Sequence, residues 1–242
     1  MSRQLTSGVL GRKKKAQIPM DGLVLWLDAN QIKGLLDNDD IQIWEDASAL
    51  GNDAIQPTIA ARPKYKKNIL NGLPVVRFDG NNYLNLGQPE SLDFAPTVDE
   101  FSFFIVSYPN NGSILTKGSI QTLQQQYRII VASNVLSLRI GTNEASVGST
   151  NIVNKWSVKS IITSTSRVDA FINKNSDIVN GVIGDLKNNV DVLIGTRRQD
   201  GTSNTGTGYF LTGDIAEIII YNRSITAERE DIENYLLQKY NL

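Results

Sequence analysis

The 242-residue chain contains no cysteine and no histidine. Those absences exclude disulfides, thiolate nucleophiles, zinc sites built on Cys or His, and every catalytic arrangement that uses imidazole as its base. Long hydrophobic runs are also missing: no stretch approaches the roughly 18 to 20 apolar residues that span a bilayer. Nor is there a surplus of either charge, since 24 bases stand against 25 acids for a net −1. With 40% hydrophobic and 20% charged residues, the composition is that of an ordinary globular protein. A chain of this length buries enough apolar surface to need no disulfide, so the lack of cysteine is compatible with a reducing compartment without requiring one.

What charge there is lies unevenly. Residues 1–20 hold Arg3, Arg12, Lys13, Lys14 and Lys15 and no acid, which leaves the remainder at −6. This segment shows neither helical nor strand periodicity, and Gly8, Gly11 and Pro19 interrupt any regular element. It also lacks the continuous apolar stretch and small-residue cleavage site of a secretory signal, so export by that route is not expected. A basic arm over 1–20 and one domain over 21–242 is the economical division.

From Asp21 the pattern changes to short runs of β-branched and aromatic residues between Gly, Asn, Asp and Pro clusters. Strands are expected at 23–29, 41–44, 74–78, 83–86, 101–108, 113–116, 127–132, 135–140, 156–163, 167–173, 191–195 and 213–222. The run FSFFIVSY (101–108) alternates poorly, as a strand buried on both faces would. Ser133-Asn134 reads as a tight hairpin turn. Near the C-terminus, Thr226 is placed to cap a helix whose first turn is acidic, with Ile232, Tyr235, Leu236 and Tyr240 forming one apolar stripe. So many strands with so little helix predict an all-β antiparallel jelly-roll sandwich with a short C-terminal helix and an extended N-terminal arm.

Several segments carry a resemblance in their order. GLVLWLDA is followed by Trp44, Asp46, Ser48, Gly51-Asn52 and Ala54, then by RPKYKKNILNGLPVVRFDGNNYLNL, and the chain closes on GDIAEIIIYNRSITAEREDIENYLLQKY. Together these resemble the laminin-G-like, concanavalin A-like jelly-roll family, in the version common in bacterial and bacteriophage proteins, over about 21–242. The resemblance implies a lectin-like scaffold with a shallow loop site that uses Asn and Asp hydrogen bonds, an aromatic face and, in some members, Ca²⁺. Here Asp79, Asn81, Asn82 and Tyr83 are the local candidates for a glycan or calcium rim. Asn81 and Asn82 stand where the family often has Asp, which weakens the case for the ion.

Other features read as structural. Trp26, Trp44 and Trp156 sit in strand contexts and are expected to fill cores rather than stack sugars. Asp37, Asn38, Asp39 and Asp40 form a solvated turn, lacking the Gly and distal Glu of an EF-hand loop. The segment 201–210 has glycines but no phosphate-loop context, and is expected to be a hairpin tip. A glycosidase on this scaffold needs paired carboxylates in one cleft. The Glu-x-Asp-x-x-Glu strand motif is absent, and Asp214 and Glu217, the closest pair, fall on opposite strand faces unless a bulge intervenes.

The resulting expectation is a non-enzymatic virion protein of a tailed bacteriophage, with no resident cofactor beyond a candidate Ca²⁺. Its arm residues Arg3, Arg12, Lys13, Lys14 and Lys15 would hold other capsid or tail proteins while the jelly roll aids adhesion to host-surface glycans. The arm has no aromatic residue for stacking and the body is acidic, so nucleic acid is not an expected partner. Scattered outward apolar residues leave room for a homo-oligomer. The alternative is a carbohydrate-binding adhesion module of a bacterial surface protein.

Overall fold

A computed structural model of the protein describes residues 18–118, 125–141, 145–184, 190–198 and 207–242. The arm bases Arg3, Arg12, Lys13, Lys14 and Lys15 and most of the glycine-containing segment 201–210 lie outside the described residues. The chain begins with β1 (Leu23–Asp28), β2 (Ile43–Trp44), β3 (Ala54–Ile55), β4 (Lys64–Leu70), β5 (Leu73–Asp79) and β6 (Leu84–Gly87). Next come β7 (Ser102–Gly118), β8 (Gln125–Ala132), β9 (Val135–Ile140), β10 (Ser146–Asn151), β11 (Ser157–Thr163), β12 (Arg167–Ile172) and β13 (Asn175–Val182). It ends with β14 (Val192–Ile194), β15 (Arg197–Arg198), β16 (Thr207–Gly208), β17 (Thr212–Tyr221) and the helix α1 (Arg229–Tyr240).

These strands form the all-β antiparallel sandwich expected from the sequence. One layer runs β10-β9-β8-β7-β14-β6-β3-β2. In the other, β17 lies between β7 on one side and β1 with β5 on the opposite side, and β11, β12 and β13 continue outward from β7. The long β7 belongs to both layers. Its first part pairs with β11 and β17, and its second with β8 and β14.

The sequence suggests two strands here, broken at Pro109-Asn110-Asn111-Gly112. The structure instead uses that tetrapeptide as the bend by which one strand passes between sheets, a role suited to residues that weaken a flat ladder. Gly112 has φ +95°, and a Cβ there would run into the Phe210 carbonyl and stand 2.7 Å from the Leu211 Cα. Ser133 and Asn134 have φ of +52° and +70°, the double left-handed geometry of a two-residue hairpin turn.

Two apolar layers result. Leu25, Leu27, Phe78, Phe103, Ile129, Leu138, Ile218 and Ile220 fill the space between the sheets. There Phe94 stacks on Phe101 with centroids 4.5 Å apart, beside Phe103 and Tyr127. On the outer face of the β17 layer, Leu23, Phe104, Val106, Val158, Ile219 and Tyr221 meet Ile232, Leu236 and Tyr240 of α1. Burying each such side chain contributes about 1.5–3 kcal/mol. The helix therefore makes a third layer, which is why Ser102–Val106 is buried without alternation.

Thr226 does not cap α1. Its hydroxyl pairs with Ser224 Oγ at 2.9 Å, and the capping position is Glu228, with no side-chain bond. The chain is still held to the sheet before it, because the Ile225 amide donates to Ser102 Oγ at 3.0 Å, so helical geometry starts later than the capping pattern suggests. At the other end of the chain, Ile18 is buried in the outer layer and the Tyr221 hydroxyl donates to the Pro19 carbonyl at 2.9 Å. Ordered packing thus takes in residues that the sequence division groups with the arm.

No helix among the described residues is long and apolar enough to cross a membrane.

Candidate functional site

Alternation along β1 sends Leu25 and Leu27 into the inter-sheet core and Trp26 and Asp28 to the outer face. In β17 the alternation slips. Ile215 pairs with Ser107 and Glu217 with Val106, which leaves Ala216 as the extra residue of a bulge. The bulge turns Glu217 outward, next to Asp28, its register partner on β1. It also brings Asp214 and Glu217 to one face, the circumstance that odd spacing alone would have prevented.

The last turn of α1 closes over Asp28 and Glu217. Lys239 Nζ lies 2.7 Å from Asp28 Oδ2 and 2.7 Å from Glu217 Oε2. Glu217 also accepts from Trp26 Nε1 at 2.7 Å and from the Tyr240 hydroxyl at 2.8 Å. Asp28 caps the single turn Ala29–Gln31, accepting from the Asn30 amide at 2.9 Å. Burial pushes the Glu217 carboxyl above its ordinary range, against the pull of Lys239. Burial opposes the Lys239 charge as well, but Glu217 and Asp28 outweigh it and hold the ammonium firmly protonated. A cation in the last turn also complements the helix dipole. Burial, then the charge of Glu217, pushes the Tyr235 phenol up to about 12.

Two clefts open on either side of Asp28 and Gln31. One, of about 510 Å³, is lined by Trp26, Asp28, Asn30, Gln31, Tyr235, Gln238 and Lys239. The other, of about 560 Å³, has Asp28, Gln31, Lys33, Asp40, Trp44 and Arg62 among its lining residues. Both fall in the size range of small-ligand sites. Trp44, a lining residue of the second cleft, is fully buried, and its indole N–H has no partner among the described residues. A buried donor left unpaired costs free energy that an acceptor entering the cleft would recover. Aromatic faces beside carboxylate and amide groups can grip a polyhydroxylated ring by its apolar face and its hydroxyls together.

The residues singled out from sequence are placed elsewhere. Asp79, Asn81, Asn82 and Tyr83 form the turn between β5 and β6: Asn82 Oδ1 accepts from the Asp79 amide at 2.8 Å, and Asp79 Oδ1 from the Asn81 amide at 3.1 Å. Tyr83 packs toward Phe210, with ring centroids 6.4 Å apart, and none of the four lines either cleft. Among the described residues no group of three or more acidic side chains is arranged to hold a metal ion. Asp37 accepts from the Lys67 amide at 2.8 Å and Asp40 pairs with Lys64 at 2.7 Å, as in a solvated turn. Asp214 is held by both Nε and Nη2 of Arg77, each at 2.7 Å. Trp44 is in the core as expected, whereas Trp26 and Trp156 are only half-buried, and Trp26 lines a cleft.

Sequence reasoning missed Asp28, Gln31 and Lys239 as site residues. The available signal was Lys239 beside Tyr240 and four residues after Tyr235, a base at the edge of the docking stripe.

No protein-family model matches the chain, and no curated protein matches it in sequence. Solved structures do share the fold. The binding domain of Paraclostridial Mosquitocidal Protein 1 superposes with a TM-score of 0.61 at 14% identity, over 89% of this chain and 52% of that one. A Trypanosoma rangeli sialidase in complex with sialic acid gives 0.60 at 13% identity, over 90% of this chain and 33% of that one. A mutant of HCR D/C VPI 5995 gives 0.58 at 17% identity, over 92% and 52%. The chain therefore spans a third to a half of the length of these neighbours.

The likeness supports the sandwich, and no neighbour described here is a bacteriophage protein. The expectation of a non-enzymatic chain is corrected by these structures. Sialidases are among the proteins that contain this sandwich, so the scaffold does not set the chain apart from enzymes; at 10–14% identity it does not make the chain one either.

Proposed function

We propose that the chain is a carbohydrate-binding β-sandwich whose saccharide site is the double cleft around Asp28 and Gln31. The observation that carries this reading is the cleft between β1 and α1, which Trp26 and Tyr235 line together with Asp28, Gln31 and Gln238. The Lys239 bridge fixes Asp28 in place before any ligand arrives, which lowers the cost of ordering on binding. Two neighbours add support: one is described as a binding domain, and another is a sialidase holding sialic acid.

Titration of the full chain with a panel of neutral and acidic oligosaccharides tests the proposal. Saturable binding that weakens in Tyr235→Ala and Gln31→Ala is the expected result; binding indifferent to both substitutions would overturn the site. The fuller form, in which residues 1–20 hold the sandwich to other virion proteins so that it meets a host glycan, rests on the sequence alone. Its test is incorporation into particles by a chain lacking residues 1–17, which leaves the packed Ile18 in place. Normal incorporation would discard it.

A further inference from the structure

At the β8–β9 end of the other layer, the outer face carries a concentration of positive charge without acidic partners among the described residues. Tyr127, Ile129 and Val131 of β8 and Leu136, Leu138 and Ile140 of β9 point into the core, so Arg128 and Arg139 project from the opposite face. The two arginines are direct register partners. Like charges placed opposite each other on neighbouring strands destabilise a ladder. Arg197 of β15 adds a third charge close enough, with Arg139, to oppose that of Arg128.

None of the three has an acidic partner among the described residues, and the Nε of each is buried without a hydrogen bond. Burial first, then the charges of Arg139 and Arg197, lowers the Arg128 guanidinium to about 10. Guanidinium groups otherwise stay charged well beyond that.

The surroundings hold this arrangement in place. The Arg197 guanidinium lies 4.4 Å from the centroid of the Tyr209 ring. The Tyr209 hydroxyl donates to the Val131 carbonyl at 2.8 Å, which pins the ring to β8. Tyr209 itself has φ +58°, a left-handed conformation costly for an aromatic residue and characteristic of positions whose side chain must be aimed. Clustered guanidinium groups, one of them stacked on a tethered tyrosine, suit planar, bidentate recognition of an oxyanion.

We propose that this face binds an oxyanion, the carboxylate or sulfate of an acidic saccharide, between the guanidinium groups of Arg128, Arg139 and Arg197. The anion supplies a countercharge that the described residues do not. The site is separate from the double cleft; its oxyanion chemistry stands on these arginines alone, and the saccharide that carries the anion rests on the carbohydrate-binding reading above.

The test is calorimetric titration of the full chain with inorganic sulfate, 3′-sialyllactose, a sulfated lactose and neutral lactose. Measurements are repeated on Arg128→Gln, Arg139→Gln, the charge-keeping Arg128→Lys and the cleft variant Tyr235→Ala. The acidic sugars should bind about tenfold or more tightly than lactose, and each Arg→Gln should remove that preference. Arg128→Lys should lose part of it, because an ammonium lacks the fork, and Tyr235→Ala should leave it intact. Removing a repelled charge should not impair folding, and thermal unfolding checks this directly. Equal binding of acidic and neutral sugars, or a preference that survives both Arg→Gln substitutions, would overturn the proposal. Sulfate binding without any gain from the attached sugar would overturn the saccharide assignment. Loss of the preference in Tyr235→Ala alone would relocate it to the cleft and count against this face.

Discussion

Replacing Lys239 with methionine removes the cation that bridges the buried carboxylates of Asp28 and Glu217 while keeping the length of the stem. At an effective dielectric constant near 20, a charge pair about 4 Å apart is worth about 4 kcal/mol, so the two contacts of Lys239 give a gross attraction of about 8 kcal/mol. Against this stands the cost of taking the ammonium out of water, several kcal/mol, so a net loss of about 3–5 kcal/mol is expected on breaking the bridge. The loss falls on a total of about 5–15 kcal/mol for a typical domain, and it frees the last turn of α1.

The pH dependence has a definite sign. Glu217 titrates above its unfolded value in the native state, so the folded chain binds more protons than the unfolded one between those two pKa values. Its contribution is therefore more favourable on the acid side of that window and declines as pH rises through it. Without Lys239 the folded pKa rises further and the window widens. The deficit of Lys239→Met should be largest near neutrality and shrink on acidification as Glu217 protonates. Urea unfolding near pH 7 and near pH 5, followed by tryptophan fluorescence, reads both effects. A loss below about 1 kcal/mol, the level of a surface ion pair, or a loss equal at the two pH values, would refute the reasoning.

Three further outcomes follow from particular contacts. Tyr235→Ala should weaken saccharide binding about tenfold by calorimetry while the fold is retained, since the ring is half-buried at the edge of the α1 stripe. Lys159 is fully buried, donates among the described residues to Ser107 O, Ser157 O and Ser157 Oγ, and is lowered by burial to about 7. The unfolded chain then binds more protons above that value, so stability should rise from pH 7 toward 10, and Lys159→Met should abolish the slope in denaturant midpoints. Gly112→Ala should cost more than about 2 kcal/mol by chemical denaturation, because it meets both a positive φ and the Phe210 backbone where β7 changes sheets.

The sequence exposed the fold where side chains alternate against a core, as in β1, β5, β9 and the stripe of α1. It concealed the strands at the margins. Among the described residues β10 and β13 each pair with one strand only, and β4 pairs with β5 and bridges only the turn residue Asp40 beyond it; their polar sequences, KYKKNIL, SVGSTN and NSDIVNGV, carry the lysines, glycines and polar residues that edges use to discourage further pairing. The candidate site was less legible for a different reason. Its bonds join residues 191 and 211 positions apart, and its geometry depends on a one-residue bulge at Ala216 that no spacing rule announces. The turn of Asp79, Asn81 and Asn82 looked like a ligand rim because Asn and Asp serve both purposes. In the structure Asn82 Oδ1 and Asp79 Oδ1 accept from backbone amides of that turn.

The double cleft around Asp28 and Gln31 is proposed to hold a saccharide. The most direct test is a heteronuclear NMR titration of the full chain with the oligosaccharide panel, following the indole resonances of Trp26 and Trp44. The account predicts saturable shifts at both indoles with one binding constant, and their loss in Gln31→Ala. Saccharide binding that leaves both resonances unmoved, or a panel that yields no binding at all, would contradict it.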